Sequence, residues 1–359
     1  MPREITIKVP ASTSNLGPGF DVLGASLSLY LHLTATVLQS GEETVISYSG
    51  NNAHTVPLTV AQNLITQTAS YIAAATRGVP LPPLKLHIEN HIPLARGLGS
   101  SGSAVVAGVL LANEACELGM SRERVLDFCL MLEGHPDNVT ASLLGGFCAS
   151  YLAVGVEEEY KKVHALTPDD YCLSGETNGN THHRLDLPLP PIEGLGRHVK
   201  LNVSPSIRVV VVIPHFELST KLARKVLPTT YAREDVVFNL QRLSVLTTAL
   251  CSPTPSPDLI WGAMHDRIHQ HYRQHLVPGL PQILALTPSD CPGLLGVCVS
   301  GAGPTVLALA TENFQQIGDK IKQIWKGSQG ADGKSIESEV LVLDFVTEGA
   351  VWKAVTTSA

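Results

Sequence analysis

The segment Pro93-Leu94-Ala95-Arg96-Gly97-Leu98-Gly99-Ser100-Ser101-Gly102-Ser103 narrows the possibilities for this chain more than any other. Behind it, Ser103 to Leu118 is small and apolar and reads as a helix closed by Gly119. Glycines let backbone N–H groups approach an anion closely, and serines add hydroxyl donors and an oxygen ligand for a hard cation. The helix contributes the positive end of its dipole. These are the physical requirements of a triphosphate cradle.

Gly97, Gly99 and Gly102 also spell G-x-G-x-x-G, the dinucleotide-binding pattern. That fold needs a strand running straight into the first glycine and a second strand ending in an acidic residue. Here Pro93 to Arg96 intervene, and Glu117 lies at a helix end with another helix behind it. The loop has no Gly-Lys-Ser/Thr and so is not a Walker loop, and the chain has no His-Arg-Asp or Asp-Phe-Gly of a protein kinase.

Ile5 to Val9 reads as a strand, and from Leu27 to Val37 apolar and polar residues alternate as in a half-buried strand. Helices are expected at 61–77 and from Ser121 to Gly134, with a strand between them at Leu84–Ile88. Residues 155–206 carry an acidic run, Asn178-Gly179-Asn180 and three prolines, and read as an irregular excursion. Beyond it come a buried strand (207–213), helices around 219–227, 234–250 and 257–269, strands at 295–300 and 305–310, a helix at 313–326 and a strand at 339–345. That order is β-α-β-β-α-β, a ferredoxin-like pattern. The fold expected is α+β in two domains, 1–206 and 207–359, a division that suits 359 residues of which 44% are apolar.

A net charge of −7 without a long basic stripe argues against a nucleic-acid or anionic-membrane partner. No apolar run reaches spanning length, and the start, Met1-Pro2-Arg3-Glu4, has neither secretory nor transit character, so a cytoplasmic protein is expected. The seven cysteines form no C-x-x-C and read as reduced, buried thiols. The histidines show no metal-ligand spacing.

Three segments together resemble the small-molecule kinase superfamily of galacto-, homoserine, mevalonate and phosphomevalonate kinases: Pro10 to Asp21, Pro93 to Ser103, and Ser300-Gly301-Ala302-Gly303-Pro304-Thr305. Four others are similar to the homoserine kinase family in particular: Asn15 to Asp21, His135-Pro136-Asp137-Asn138, Leu218 to Arg224 and Asp266 to Arg273. Arg96 stands where a small residue is more usual, Gly102 replaces an alanine, and the excursion is longer than in compact bacterial forms. The resemblance implies an N-terminal βαβ-type ATP-binding domain, a ferredoxin-like C-terminal domain, ATP and Mg²⁺ as cofactors, L-homoserine as substrate and a homodimer.

It also implies roles. Arg224 and Arg273 would fork the substrate carboxylate, for which a planar guanidinium is suited. Asp21 and Asn15 would take the ammonium, and Asn138 the hydroxyl to be phosphorylated. For ATP, Pro93, Arg96, Gly97, Leu98, Gly99, Ser100, Ser101, Gly102 and Ser103 would wrap the phosphates, with Asn63 and Leu64 on the adenine side. Thr220 would reach the γ-phosphate region, or merely cap the helix behind it. Ser101 and Glu133 would hold Mg²⁺, a cation that would offset the unfavourable placing of Glu133 at a helix C-terminus. His269 would brace Arg273. Catalysis would rest on alignment, with Asp137 as the reserve base. Rival readings are a kinase of another alcohol such as mevalonate, which has no ammonium for Asp21, and a silent ligand sensor.

Overall fold

Ile5, Ile7 and Val9 point into the core of β1 (Arg3–Asn15), a strand whose second half, from Val9 on, is buried on both sides. The computed structural model describes residues 3–153, 158, 161, 189–330 and 332–356. β2 (Gly19–Val37) returns antiparallel to β1, with register shifts at Pro10/Ala11 and Ser14/Asn15. Such irregularities bend a strand and re-aim its side chains. β3 (Val45–Gly50), α1 (Leu64–Arg77) and β4 (Leu84–Asn90) form a βαβ unit, since β3 and β4 pair in parallel. The three helices α2 (Ser100–Ala115), α3 (Arg122–Glu133) and α4 (Pro136–Leu144) follow. β5 (Phe147–Leu152) pairs with β2 and with β6 (Gly196–Leu201).

The second half opens with β7 (Arg208–Pro214). Behind it come α5 (Thr220–Lys225), α6 (Arg233–Leu250), α7 (Pro257–Ala263), α8 (Gln270–Arg273) and α9 (Leu280–Leu284). β8 (Leu294–Val299), β9 (Val306–Ala310), α10 (Phe314–Lys326), β10 (Ser338–Leu343) and β11 (Val351–Thr356) complete the order. The second sheet is antiparallel in the order β10-β7-β9-β8, which is the ferredoxin-like arrangement. β7 explains why its sequence is a continuous apolar run. Val209, Val211 and Ile213 face the core shared with the first half, while Val210 and Val212 pack with Ile317, Ile321 and Trp325 of α10.

Two boundaries differ from the sequence reading. β6 falls inside the expected irregular excursion, of which 155–157, 159–160 and 162–188 lie outside the described residues. β11 does not stay with the second half: it pairs antiparallel with β1, so the first sheet runs β11-β1-β2-β4-β3 with β5 and β6 added beside β2. The connection to it is stitched to the first half by Val346 N–H to Ser26 O (3.1 Å), Gly146 N–H to Val346 O (2.7 Å) and Ala350 N–H to Ser142 O (2.9 Å). Of the described cysteines, Cys129, Cys148, Cys291 and Cys298 are buried and none is in a disulfide; Cys172 lies outside the described residues.

A chain cut after Phe345 loses these bonds and the whole β1–β11 ladder. At about 1 kcal/mol for each net hydrogen bond lost, its urea midpoint should fall by the equivalent of roughly 3 kcal/mol or more. An unchanged midpoint would show that β11 is not part of the first sheet's stable core.

Candidate active site

The three glycine- and serine-rich segments meet at one place. Ser12 N–H donates to Leu98 O (3.2 Å), and Gly301 N–H donates to Ser14 O (3.0 Å). Ser300 Oγ donates to Gly97 O (2.7 Å) and lies 2.8 Å from Thr13 Oγ1. Gly97 adopts φ +79°, and a Cβ there would fall 2.2 Å from the Ser300 carbonyl oxygen. Gly99 adopts φ +70°, and its Cβ would fall 2.1 Å from Ser12 Oγ. Glycine at these two positions is thus required both by conformation and by contact. Arg96 closes the junction: its guanidinium donates to Pro214 O (2.7 Å) and Phe216 O and reaches toward Glu217, fastening the loop to the end of β7.

A cavity opens over this junction. Its walls include Asn15, Arg96, Gly97, Gly99, Ser100, Ser101, Gly102, Glu133, His135, Asp137, Asn138, Thr220, Arg224 and Arg273. Most of the sequence-derived site residues are therefore together. Ser103 is turned inward instead, its buried hydroxyl donating to Pro10 O and Gly99 O, both at 3.0 Å. The reason is that α2 begins at Ser100, so Ser103 already lies within the first turn and faces β1. Leu98 is likewise buried in the core. Asn63 caps α1: its Oδ1 accepts from Ile65 N–H (3.1 Å) and its Nδ2 donates to Pro57 O (2.9 Å). Asn63, Leu64 and Pro93 are not in the cavity wall. Ser219, not Thr220, caps α5, through Leu222 N–H (3.2 Å), which leaves Thr220 to the cavity.

Arg224 and Asp21 form a two-pronged ion pair, Nη1–Oδ2 at 3.0 Å and Nη2–Oδ1 at 2.6 Å. Asn15 supports Asp21 by accepting its backbone N–H (3.0 Å) and ties it to the third segment by donating to Gly301 O (2.8 Å). Arg273 is 1% exposed and donates to Ala223 O, Gly301 O and His269 Nδ1. His269 Nε2 in turn donates to Gly17 O (2.7 Å), so the ring is the neutral tautomer with an open Nδ1. Burial, which holds the His269 pKa below its ordinary value, agrees. His269 thus braces Arg273 as the sequence suggested. Burial and then Arg224 bring the Arg273 pKa down to about 10, which still leaves a cation at neutral pH. The Phe20 ring lies 5.4 Å from one guanidinium and 5.5 Å from the other.

The Gly134-His135 link between α3 and α4 joins the helix end expected at Gly134 to the His135-Pro136-Asp137-Asn138 motif. It sends Glu133, His135 and Asp137 into the cavity in alternation. His135 Nδ1 lies 2.9 Å from Asp137 Oδ1, and its Nε2 lies 3.7 Å from Glu133 Oε1. Burial alone would lower the imidazole pKa, but Asp137 and then Glu133 outweigh it and push it up to about 9. Burial would raise the Asp137 pKa, yet His135, Ser14 and Arg224 hold it below the usual carboxylate range. Asp21, His135 and Asp137 also lie close enough to one another to surround a metal ion. Arg224 already occupies both Asp21 oxygens, however, and His135 occupies Asp137. Ser101 and Glu133 offer the hard oxygen donors a divalent cation takes, and both face the cavity, so these residues fit Mg²⁺.

Folded His135 keeps its proton to about 9, whereas an unfolded histidine releases it near 6.5. Its contribution to stability is full below about 6.5 and is lost as pH rises through about 9. The Tm advantage of the wild type over H135N should shrink across that window. An advantage that grows with pH would contradict the charged pairing.

Similarity to known proteins agrees with this architecture. Residues 63–146, which include the glycine-rich loop and His135 to Asn138, match the family described as GHMP kinases N terminal domain. The chain is 48% identical to homoserine kinase of Saccharomyces cerevisiae, covering 94% of this chain and 100% of that one. It is 45% identical to homoserine kinase of Schizosaccharomyces pombe, over 98% and 99%. In three dimensions it is similar to homoserine kinase from Cytophaga hutchinsonii, with a TM-score of 0.71 at 24% identity over 98% and 97% of the two chains. By identity along nearly its full length, and with the three segments joined at a single cavity, the chain belongs to the homoserine kinase family.

Proposed function

We infer that this chain transfers the γ-phosphoryl group of ATP to the side-chain hydroxyl of L-homoserine. The observation that carries the substrate half is the Arg224–Asp21 pair beside the glycine-rich cradle. Homoserine is a zwitterion with a terminal hydroxyl. Its carboxylate can replace Asp21 on the Arg224 fork, and its ammonium can replace Arg224 at Asp21. The pair in the free protein is thus a template for both ends of the substrate. Arg273, fixed by His269 and Gly301, adds a second cation on the carboxylate side.

ATP fits the cradle by the same logic. Gly97 to Gly102 present backbone at the N-terminus of α2, where anions are stabilised. Thr220 would face the γ-phosphate, and Asn63 and Leu64 would stand toward the adenine. Mg²⁺, held by Ser101 and Glu133, would supply positive charge to the polyphosphate when bound. Asn138, whose Nδ2 donates to Ser12 Oγ (3.1 Å), keeps its carboxamide at the cavity wall and would orient the acceptor hydroxyl. Asp137 is a poor base: Oδ1 is held by His135 and Asn138 N–H, and its pKa is lowered. Transfer therefore rests on alignment and charge stabilisation. The hydroxyl oxygen bonds to the γ-phosphorus, the bond to the bridging oxygen breaks, ADP departs, and the hydroxyl proton leaves late to a phosphate oxygen. Among the described residues no helix is long and apolar enough to cross a membrane. A cytoplasmic homodimer is the remaining expectation of the family resemblance.

An ADP-release assay tests the assignment with homoserine, 4-hydroxybutyrate (no ammonium), 3-amino-1-propanol (no carboxylate) and mevalonate. Each analogue leaves one member of a semi-buried ion pair without its partner, so kcat/KM should fall by about a hundredfold or more relative to homoserine. Turnover of 4-hydroxybutyrate or mevalonate comparable to that of homoserine would overturn it.

A further inference from the structure

Two carboxylates, Glu133 and Asp137, project into a cavity whose other occupant would be a polyphosphate, and His135 stands between them. Its ring is not free to turn. Nδ1 meets Asp137 Oδ1 at 2.9 Å, and that same oxygen accepts the backbone N–H of Asn138 at 3.0 Å. Asp137 is 1% exposed, and a Cβ on Gly24 would fall 1.7 Å from its carbonyl oxygen, so the first turn of α4 is pressed against β2 with no room to shift. With Nδ1 committed, Nε2 is aimed toward Glu133, but at 3.7 Å it stops short of a hydrogen bond. The ring keeps the two carboxylates apart and fixes only one of them.

We propose that His135 is a positioning residue for phosphoryl transfer: its Nδ1–H locks Asp137, and through Asp137 Oδ1 it sets the start of α4 and the Asn138 side chain that meets the acceptor hydroxyl. This rests on the reading of the cavity as the transfer site. In this role His135 acts through Asp137 and Asn138 rather than on the reacting atoms. The consequence falls on kcat more than on either KM, because the homoserine charges are met by Arg224, Asp21 and Arg273 and the phosphates by the glycine loop.

Three substitutions separate the ring's two nitrogens. In His135→Asn the amide nitrogen stands where Nδ1 stood. In His135→Gln it stands near the Nε2 position, out of reach of Asp137, and His135→Phe keeps the ring and removes both donors. With ATP, Mg²⁺ and homoserine, His135→Phe should lose roughly tenfold to a hundredfold in kcat, while both KM values stay within about threefold. His135→Asn should recover most of that loss, and His135→Gln should not. The proposal is overturned if His135→Phe keeps its kcat, or if His135→Asn falls as far as the other two. Should His135→Phe fail to fold, the contrast between the Asn and Gln variants decides alone. A wild-type protein that releases no ADP with homoserine would instead overturn the transfer-site reading, and the proposal with it.

Discussion

Three stretches of backbone can touch at the cavity floor only because no side chain separates them. Gly97 lies against the carbonyl of Ser300, Gly99 against Ser12, and Gly301 donates its N–H to Ser14. Polar backbone at such a crossing must find partners, since an unpaired buried group costs about as much as a lost hydrogen bond. The hydroxyls of Ser300 and Ser103 and the amide of Asn15 supply them, and Thr13 Oγ1 in turn holds the Ser300 hydroxyl. These residues hold the cradle's shape, while its charge chemistry belongs to a second set: Glu133, His135, Asp137, Asp21, Arg224 and Arg273. The crossing comes first. The shared core and the β1–β11 ladder join the two halves, and the crossing brings Asp21 and Asn138 of the first half to Arg224 and Arg273 of the second at one cavity.

Asp21, Arg224, His135, Asp137 and Arg273 each have a partner before any ligand arrives. Arg224 is forked by Asp21, His135 is held by Asp137, and Arg273 sits among carbonyls and a neutral imidazole. A buried ion left alone would be costly, and removing one partner of such a pair strands the other. Under the proposed function, a zwitterionic substrate would enter by partner exchange and a singly charged one would not, so the pair would select by charge pattern as well as by shape.

Much of this was legible in the sequence, for identifiable reasons. Leu27 to Val37 alternates because one face of β2 is buried, and the glycines and serines of Gly97 to Gly102 do line a cavity. What escaped were elements defined by distant partners. β6 is nearly all exposed, so it has no apolar alternation to betray it. β11 is short and half exposed, and only its ladder with β1, at the far end of the chain, makes it a strand of the first sheet. The inward turn of Ser103 depended on α2 starting three residues earlier than its apolar run. The Asp21–Arg224 contact joins residues 203 positions apart. Both residues could be named from the motifs that contain them, but their direct pairing could not. His135 was visible only as one letter of a motif; its approach to Glu133 and Asp137 depends on the left-handed Gly134 turn between the two helices.

The central claim is that the Asp21–Arg224 pair is a stand-in for the substrate's own charges. A crystal structure with homoserine and a non-hydrolysable ATP analogue tests it most directly. The account predicts an opened pair, with the homoserine carboxylate on the Arg224 fork, its ammonium at Asp21, and its hydroxyl beside Asn138 facing the terminal phosphate. Homoserine bound elsewhere, with Arg224 still forked onto Asp21, would contradict it.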